Sequence, residues 1–203
     1  TMQKAGDVFC SDLTAMHLLF NQNYKMPSIH GMVHEKYEVA TKQIFGLLHG
    51  KNDQHKLEVF NKKATANNAV ITGTTAGGNL TLLASMVGTE LSPDFQDKIV
   101  ILEDIGESGY KIHRMLLQLY NAKIIQKAKA IIFADFHGGG PTVGPSIKAF
   151  IDEYLSDTPV YQTTGIGHKD WVPFILGSEA KISEDMLYVE NPFSNLFENA
   201  PAA

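Results

Sequence analysis

Three short stretches of the chain carry the residue types of a nucleophilic hydrolase. Ser11 stands where a short apolar segment turns into a helix, and His168 stands on a glycine-flanked loop. A third stretch, an apolar run, leads into Glu103, Asp104 and Glu107. Serine is a weak nucleophile at neutral pH and needs a base, and a histidine base needs a carboxylate to fix its tautomer. These residue types on separate turns therefore predict a catalytic triad.

The carboxylate of this triad is expected at the end of a buried strand. The run from Lys98 to Leu102 predicts such a strand, and ligands of α/β proteins gather where strands pass into loops at their C-terminal ends. Glu103 is preferred because it ends the run and points to one face, whereas Asp104 points to the other. Glu107 is the second choice, and it could equally cap the helix that follows.

The first stretch leaves two other interpretations open. Ser11 occupies a position typical of a helix N-cap, where its hydroxyl would satisfy a backbone N–H and Asp12 would complement the helix dipole. Alternatively, Cys10 is the nucleophile that acts with His168, since a thiol is intrinsically the stronger nucleophile. Its place just before the helix favours instead a side chain in the core, where free cysteines usually lie.

A glycine-rich loop is predicted between a second strand, Ala69–Gly73, and a helix over residues 79–87. The residues Gly77, Gly78 and Asn79 of this stretch could cradle a phosphate at the helix N-terminus. The stretch lacks both the dinucleotide-binding glycine pattern and the Lys-Ser/Thr of a phosphate-binding loop. The favoured interpretation is that the glycines permit close packing of the helix, or close approach of another backbone.

The remaining pattern predicts an α/β protein. Apolar runs at residues 98–102, 130–134 and 159–162 are typical of strands in a sheet covered on both faces. Helices are expected between them, over residues 108–122 and 145–155. The polar stretch Lys51–Gln54 is the best candidate for a domain boundary, because the residues before it are helix-rich and those after it alternate strand with helix.

Composition excludes several classes of function. The 203-residue chain has a formal net charge of -5, which argues against a nucleic-acid partner. Since no apolar run reaches the length of a membrane span, no membrane partner is predicted. Cys10 is the single cysteine, so no internal disulfide can form and a reducing compartment fits. The histidines lack metal-ligand spacing, and those in the first third of the chain, including His30, are predicted to be surface or packing residues. Neither a metal nor another cofactor is predicted.

Several motifs, taken in order, resemble the LD-carboxypeptidase family of serine peptidases over about residues 8–182. The most specific are Ala76-Gly77-Gly78-Asn79-Leu80, the strand end Leu102-Glu103-Asp104 and the helical Arg114-Met115-Leu116. The segment Ser11-Asp12-Leu13-Thr14 resembles the nucleophile turn of that family, and Gly167-His168 resembles its catalytic histidine loop.

The resemblance implies a role for each candidate residue. Ser11 would be the nucleophile, His168 the general base, and Glu103 the carboxylate that orients the base and stabilises its charged form. The backbone N–H of Asp12 would donate to the oxyanion. The stretch Gly77–Asn79 would contact the substrate.

The resemblance also implies a fold and an activity. Residues 1–50 would be the remainder of a flavodoxin-like N-terminal domain, and residues 51–203 a swivelling-type α/β C-terminal domain. Family members are cytoplasmic, cofactor-free and commonly homodimeric, and they release terminal D-alanine from murein tetrapeptides during cell-wall recycling. A close branch, the microcin-immunity type, inactivates peptidyl-nucleotide antibiotics.

The family's α/β segment before the nucleophile is absent from this chain. The sheet that carries Ser11 is therefore expected to expose an unpaired edge. The alternatives to an active peptidase are a catalytically inactive fragment and a binding module.

Overall fold

The computed structural model describes residues 9–61, 63 and 70–194. In these ranges the strands are β1 (Phe9–Ser11), β2 (Ser28–His30), β3 (Asp53–Lys56), β4 (Glu58–Val59), β5 (Ile71–Asn79), β6 (Ile99–Ile105), β7 (Ala130–His137), β8 (Val160–Gln162), β9 (Phe174–Leu176), β10 (Glu179–Ser183) and β11 (Met186–Val189). The α-helices are α1 (Thr14–Leu18), α2 (Glu38–Leu48), α3 (Leu80–Met86), α4 (Gly109–Asn121) and α5 (Val143–Tyr154). None of the helices found there is long and apolar enough to cross a membrane.

The larger sheet combines parallel and antiparallel strands. Its order over the described residues is β3-β11-β10-β5-β6-β7-β8-β4. The four strands from β5 to β8 are parallel, and the β10–β11 hairpin pairs antiparallel to β5. The expectation of a mixed α/β architecture is therefore confirmed.

The smaller sheet has the order β1-β2-β9. β1 runs parallel to β2, which pairs antiparallel with β9. Among the described residues β1 has a neighbour on one side alone, so it forms the expected unpaired edge. Since β9 comes from the second half of the chain, this sheet joins both sides of the predicted boundary at residue 50.

The strand β6 lies at the centre of the molecule. Its side chains from Ile99 to Asp104 are almost completely buried. Val100 and Leu102 pack in one core cluster with helices α3, α4 and α5, while Ile99 and Ile101 pack in a second cluster with the smaller sheet and α2. Because side chains alternate along a strand, β6 sends successive residues to opposite layers.

The glycine stretch is a strand and not the loop that the sequence predicts. β5 continues to Asn79, and its last residues pair with β6 in parallel register. A Cβ atom on Gly77 would lie 1.8 Å from the carbonyl oxygen of Ile101, and the backbone φ of Gly77 is 128°. The glycine thus permits the close approach of two backbones, in agreement with the favoured interpretation. Ala69, the first residue of that predicted strand, lies outside the described residues.

We expect Gly77→Ala to cost more than about 4 kcal/mol of unfolding free energy, because backbone atoms of β6 would have to move. Gly88→Ala is the matched control. Gly88 also has a positive φ, of 83°, but a Cβ atom on it would meet nothing within 4 Å, so the cost should be roughly 1 kcal/mol. Urea unfolding of both variants provides the measurement. Equal costs would contradict the role assigned to Gly77.

Candidate active site

Glu103 and His168 form a close pair at the C-terminal end of the parallel strands. His168 Nδ1 and Glu103 Oε2 are 2.8 Å apart. The carboxylate is fully buried, whereas 18% of the histidine side chain is exposed. The buried carboxylate accepts the Nδ1 proton, which leaves Nε2 of the imidazole available for a reacting group.

The alternation of β6 explains why Glu103 makes this pair and Asp104 does not. Asp104 points to the other layer, where it accepts hydrogen bonds from the backbone N–H and the hydroxyl of Thr81, both at 2.9 Å. Burial raises the pKa of Asp104. Glu107 forms an ion pair with Lys111, with 3.0 Å between Oε2 and Nζ. Both neighbouring carboxylates are thus engaged elsewhere.

The loop that presents His168 is held by strand β7. Asp135 Oδ2 accepts a hydrogen bond from the backbone N–H of Gly165 at 3.0 Å, and Asp135 N–H donates to the carbonyl oxygen of Ile166 at 3.0 Å. Gly167 has a φ of 123°, and a Cβ there would lie 3.3 Å from Glu103 Oε2. A larger residue would therefore press on the hydrogen-bonded oxygen of the carboxylate.

Trp171 packs on the His168 ring, with 4.5 Å between the ring centroids, and its backbone N–H donates to the carbonyl oxygen of Gly167 at 3.1 Å. The sequence pattern does not single out this tryptophan. Its position three residues after the histidine of a glycine-containing loop is the one signal that could have indicated the contact.

The hydrogen bond to Glu103 is the largest cause that raises the pKa of His168 above its ordinary value of 6.5. Burial opposes this shift, and the charge of Asp12 contributes to it. Asp12 follows Ser11 directly, and Ser11 is the register partner of His30, whose Nε2 lies 4.0 Å from Glu103 Oε1. This pairing places the Ser11 turn near the Glu103–His168 pair.

Ser11 ends β1 and precedes α1. Its hydroxyl accepts a hydrogen bond from the backbone N–H of Leu13 at 3.1 Å. The α-helix begins later than the sequence predicts, at Thr14 with Leu13 as its N-cap, so Ser11 is not the N-cap residue. Within the described chain no hydrogen bond joins Ser11 to His168. The structure therefore brings Glu103 and His168 into contact and places the serine turn nearby.

His17 fixes the backbone of the Ser11 turn. Its Nε2 lies 2.8 Å from the carbonyl oxygen of Ser11, and its Nδ1 lies 2.7 Å from Ser28 Oγ. Burial lowers the pKa of His17 to about 4, so the ring is neutral at pH 7. Since a carbonyl oxygen can only accept, Nε2 carries the proton and Nδ1 accepts from the Ser28 hydroxyl.

The His17 ring makes folding stability dependent on pH. Its folded pKa of about 4 is below the unfolded value of 6.5, so the stability is fully present above pH 6.5 and is lost as the pH falls. We expect the free-energy advantage of the wild-type chain over His17→Gln to shrink by about 3 kcal/mol between pH 7 and pH 4. Urea unfolding across this range measures it. A difference that stays constant over this pH range would contradict the prediction.

The residues Gly78 and Asn79 connect the serine turn to the larger sheet. A Cβ on Gly78 would lie 2.6 Å from Thr14 Oγ1, and the backbone N–H of Asn79 donates to the same oxygen at 2.9 Å. Asn79 Oδ1 also caps helix α3 by accepting from Leu82 N–H at 3.1 Å. Packing accounts for these residues and for Gly77, and their contact with substrate stays a prediction.

The surroundings of Cys10 disfavour a thiolate nucleophile. Its side chain is half-buried and packs against the core between the two sheets. Burial raises the pKa of the thiol to about 11. An activated cysteine needs the opposite shift, toward or below neutral pH.

A cavity of about 570 Å³ opens beside the His168 loop. Asp135 lines it from β7, and Lys56, Glu58 and Gln162 line it from the neighbouring strands, together with apolar side chains including Phe136. Side chains of both charges suit a zwitterionic peptide. In the residues for which the structure gives positions, no group of three or more histidine, cysteine or acidic side chains could hold a metal ion.

Comparisons with known proteins identify relatives along most of the chain. A putative carboxypeptidase of Rickettsia conorii is 30% identical over an alignment of 182 residues, and the match covers 85% of this chain and 57% of that protein. A probable murein peptide carboxypeptidase of Bacillus subtilis is 28% identical over an alignment of 177 residues, and the match covers 78% of this chain and 53% of that protein. The chain thus spans about half the length of the curated relatives it matches.

A solved structure has a similar fold. The muramoyltetrapeptide carboxypeptidase of Oxalobacter formigenes superposes with a TM-score of 0.72 at 25% identity, covering 92% of this chain and 70% of the other. The sequence profile of the LD-carboxypeptidase C-terminal domain matches residues 72–182, more than half of the chain. The chain belongs to the LD-carboxypeptidase family.

Proposed function

We propose that this chain carries the catalytic triad of a serine-type LD-carboxypeptidase that releases terminal D-alanine from murein tetrapeptides. The observation that carries the proposal is the 2.8 Å contact of His168 Nδ1 with the fully buried Glu103 carboxylate. A buried carboxylate on one nitrogen of a partly exposed histidine is the arrangement that prepares the other nitrogen to act as a base.

In this proposal Ser11 Oγ attacks the carbonyl carbon of the amide that joins the L-centre of diaminopimelate to D-alanine. His168 Nε2 takes the hydroxyl proton and then donates it to the departing amine of D-alanine. Water attacks the resulting ester with His168 again as base, which frees Ser11. Glu103 stays ionised throughout and stabilises the imidazolium that forms in each step.

The backbone N–H of Asp12 is the proposed oxyanion donor. It belongs to the residue after the nucleophile, the place from which a strand-to-helix serine turn supplies such a donor. None of the three triad residues lines the cavity beside the His168 loop. This cavity is the proposed site for the diaminopimelate side chain alone, since Lys56, Glu58 and Asp135 can pair with its carboxylate and amine.

The domain organisation is also part of the proposal. Residues 1–50 are taken as the end of a flavodoxin-like, nucleophile-bearing domain, and residues 51–203 as a swivelling-type C-terminal domain. The unpaired edge of β1 supports a further α/β segment on that side of the smaller sheet. We further propose a cytoplasmic homodimer that works without a cofactor.

The experiment that tests this function measures D-alanine release from a murein tetrapeptide, beside the intact mass of the protein purified from its source. Release by the source protein supports the proposal. A peptidyl-nucleotide substrate run in parallel tests the microcin-immunity alternative, and cleavage of that substrate alone would replace the proposal with it. Tetrapeptide binding without cleavage of either substrate would instead favour a binding module.

A further inference from the structure

Two buried polar atoms beside the Glu103–His168 pair face each other without a hydrogen bond. Glu103 Oε1 and His30 Nε2 are 4.0 Å apart, in side chains that are 0% and 2% exposed. Neither atom has another hydrogen-bond partner among the residues that the structure describes. Unpaired buried polar atoms are rare in native proteins, and each requires an explanation.

The ring of His30 is held in this orientation from two sides. It stacks on Phe174 of β9, with 4.7 Å between the ring centroids, and on His17 of α1 at 5.3 Å. On β2, His30 is the register partner of Ser11. His30 is therefore next to Ser11 in the smaller sheet and close to the Glu103 carboxylate of the larger sheet.

The ring of His30 is neutral beside Glu103. Burial, and then the neighbouring His17 and His168, keep the pKa of His30 well below its ordinary value, so the ring bears one proton at neutral pH. The groups that face it are His17 from α1, Glu103 from β6, His168 from the loop after β8 and Phe174 from β9. Among these, Glu103 Oε1 is the acceptor that faces Nε2.

We propose that His30 is a positioning residue that donates its Nε2–H to Glu103 Oε1, so that Glu103 is hydrogen-bonded through both oxygens. This inference rests on the proposed triad. A separation of 4.0 Å is too long for the bond, so the proposal requires the two atoms to move about 1 Å closer. With a donor on each oxygen, the buried carboxylate keeps both its charge and its rotamer while it orients His168.

The first test reads the tautomer of His30 in the unmodified 203-residue chain. Long-range ¹H–¹⁵N NMR spectra distinguish a protonated ring nitrogen from an unprotonated one. The proposal requires Nε2 of His30 to carry the proton at pH 7. A spectrum in which Nε2 is unprotonated would overturn it, because the ring would then offer no donor to Glu103.

The second test follows the titration of His168 in His30→Leu and His30→Gln. Leucine removes the donor, whereas the side-chain amide of glutamine restores one near the position of Nε2. Without the donor, the negative potential at His168 strengthens, and its pKa should rise by about half a unit. Glutamine should return the wild-type value. An unchanged value in His30→Leu, or the same change in both variants, would overturn the proposal.

His55→Leu is the matched control for the loss of a buried histidine. His55 pairs with a different buried carboxylate, Asp53, at 2.7 Å, so its loss should leave the titration of His168 unchanged. An equal shift in this variant would overturn the proposal by showing a general packing effect. If His30→Leu does not fold, His30→Gln and the tautomer measurement decide the question.

These measurements do not depend on turnover. If the protein purified from its source cleaves no peptide while His168 responds to His30 as described, the proposed function fails and the contact stands. If the chain is active, kcat/KM should fall roughly tenfold in His30→Leu and recover in His30→Gln, since a hydrogen bond to a charged group is lost and restored.

Discussion

Ser11→Ala is expected to lower kcat/KM for D-alanine release by at least about ten-thousandfold, because the reaction loses the atom that attacks the substrate. Folding should be retained. The hydroxyl accepts one hydrogen bond within its own turn, from Leu13 N–H, and its loss should cost about 1 kcal/mol of unfolding free energy. A coupled assay for D-alanine measures the first effect, and urea unfolding measures the second.

Cys10→Ala is the matched control for Ser11→Ala, because it changes the adjacent residue of the same strand. The thiol is half-buried and its pKa is raised to about 11, so its removal should leave kcat/KM within about threefold of the wild-type value. Full activity in Ser11→Ala, together with its loss in Cys10→Ala, would transfer the nucleophilic role to the cysteine. Activity in both variants would reject both assignments.

The central part of this site follows from rules that act along the chain. A strand buried on both faces reads as a continuous apolar run, and side-chain alternation sends consecutive residues to opposite faces. These two rules are enough to separate Glu103 from Asp104 on the sequence alone. They also locate the central parallel strands β6, β7 and β8, although each strand except β8 extends beyond its predicted end.

The errors come from contacts between residues distant in the chain. The glycine stretch suggests a loop because glycine weakens an isolated strand. The reason for Gly77 is the backbone of Ile101 on the next strand, and no local pattern shows that contact. In the same way, no local pattern shows that the buried His30 lies 4.0 Å from Glu103, because the two residues belong to different sheets.

Glu103→Gln tests the other half of the triad. The change keeps the size of the side chain and removes its charge, and glutamine can present either an oxygen or an amide to His168 Nδ1. Loss of the charge, or the wrong imidazole tautomer, should lower kcat/KM by about a thousandfold to ten-thousandfold. The pKa of His168 should fall as well, because the hydrogen bond to Glu103 is the largest cause of its elevation.

The direction of the pH profile follows from the role of His168 as a base. Activity requires the neutral imidazole, so kcat/KM of the wild-type chain should rise with pH through a pKa above 6.5. In Glu103→Gln this rise, the acidic limb of the pH profile, should move to lower pH. The plateau value of kcat/KM at high pH should also fall. A plateau that falls without this movement would mean that the glutamate supports the fold rather than the base.

Asp104→Asn is the matched control for this change, because it neutralises the next residue of the same strand on the opposite face. Asp104 holds the first turn of α3 through Thr81, so this variant should lose stability. Its charge raises the pKa of His168 less than the hydrogen bond to Glu103 or the charge of Asp12 does, so the acidic limb should move little. If Asp104→Asn shifted the limb and Glu103→Gln did not, the buried contact of Glu103 with His168 would be structural, and the catalytic carboxylate would have to be sought on the other face of β6.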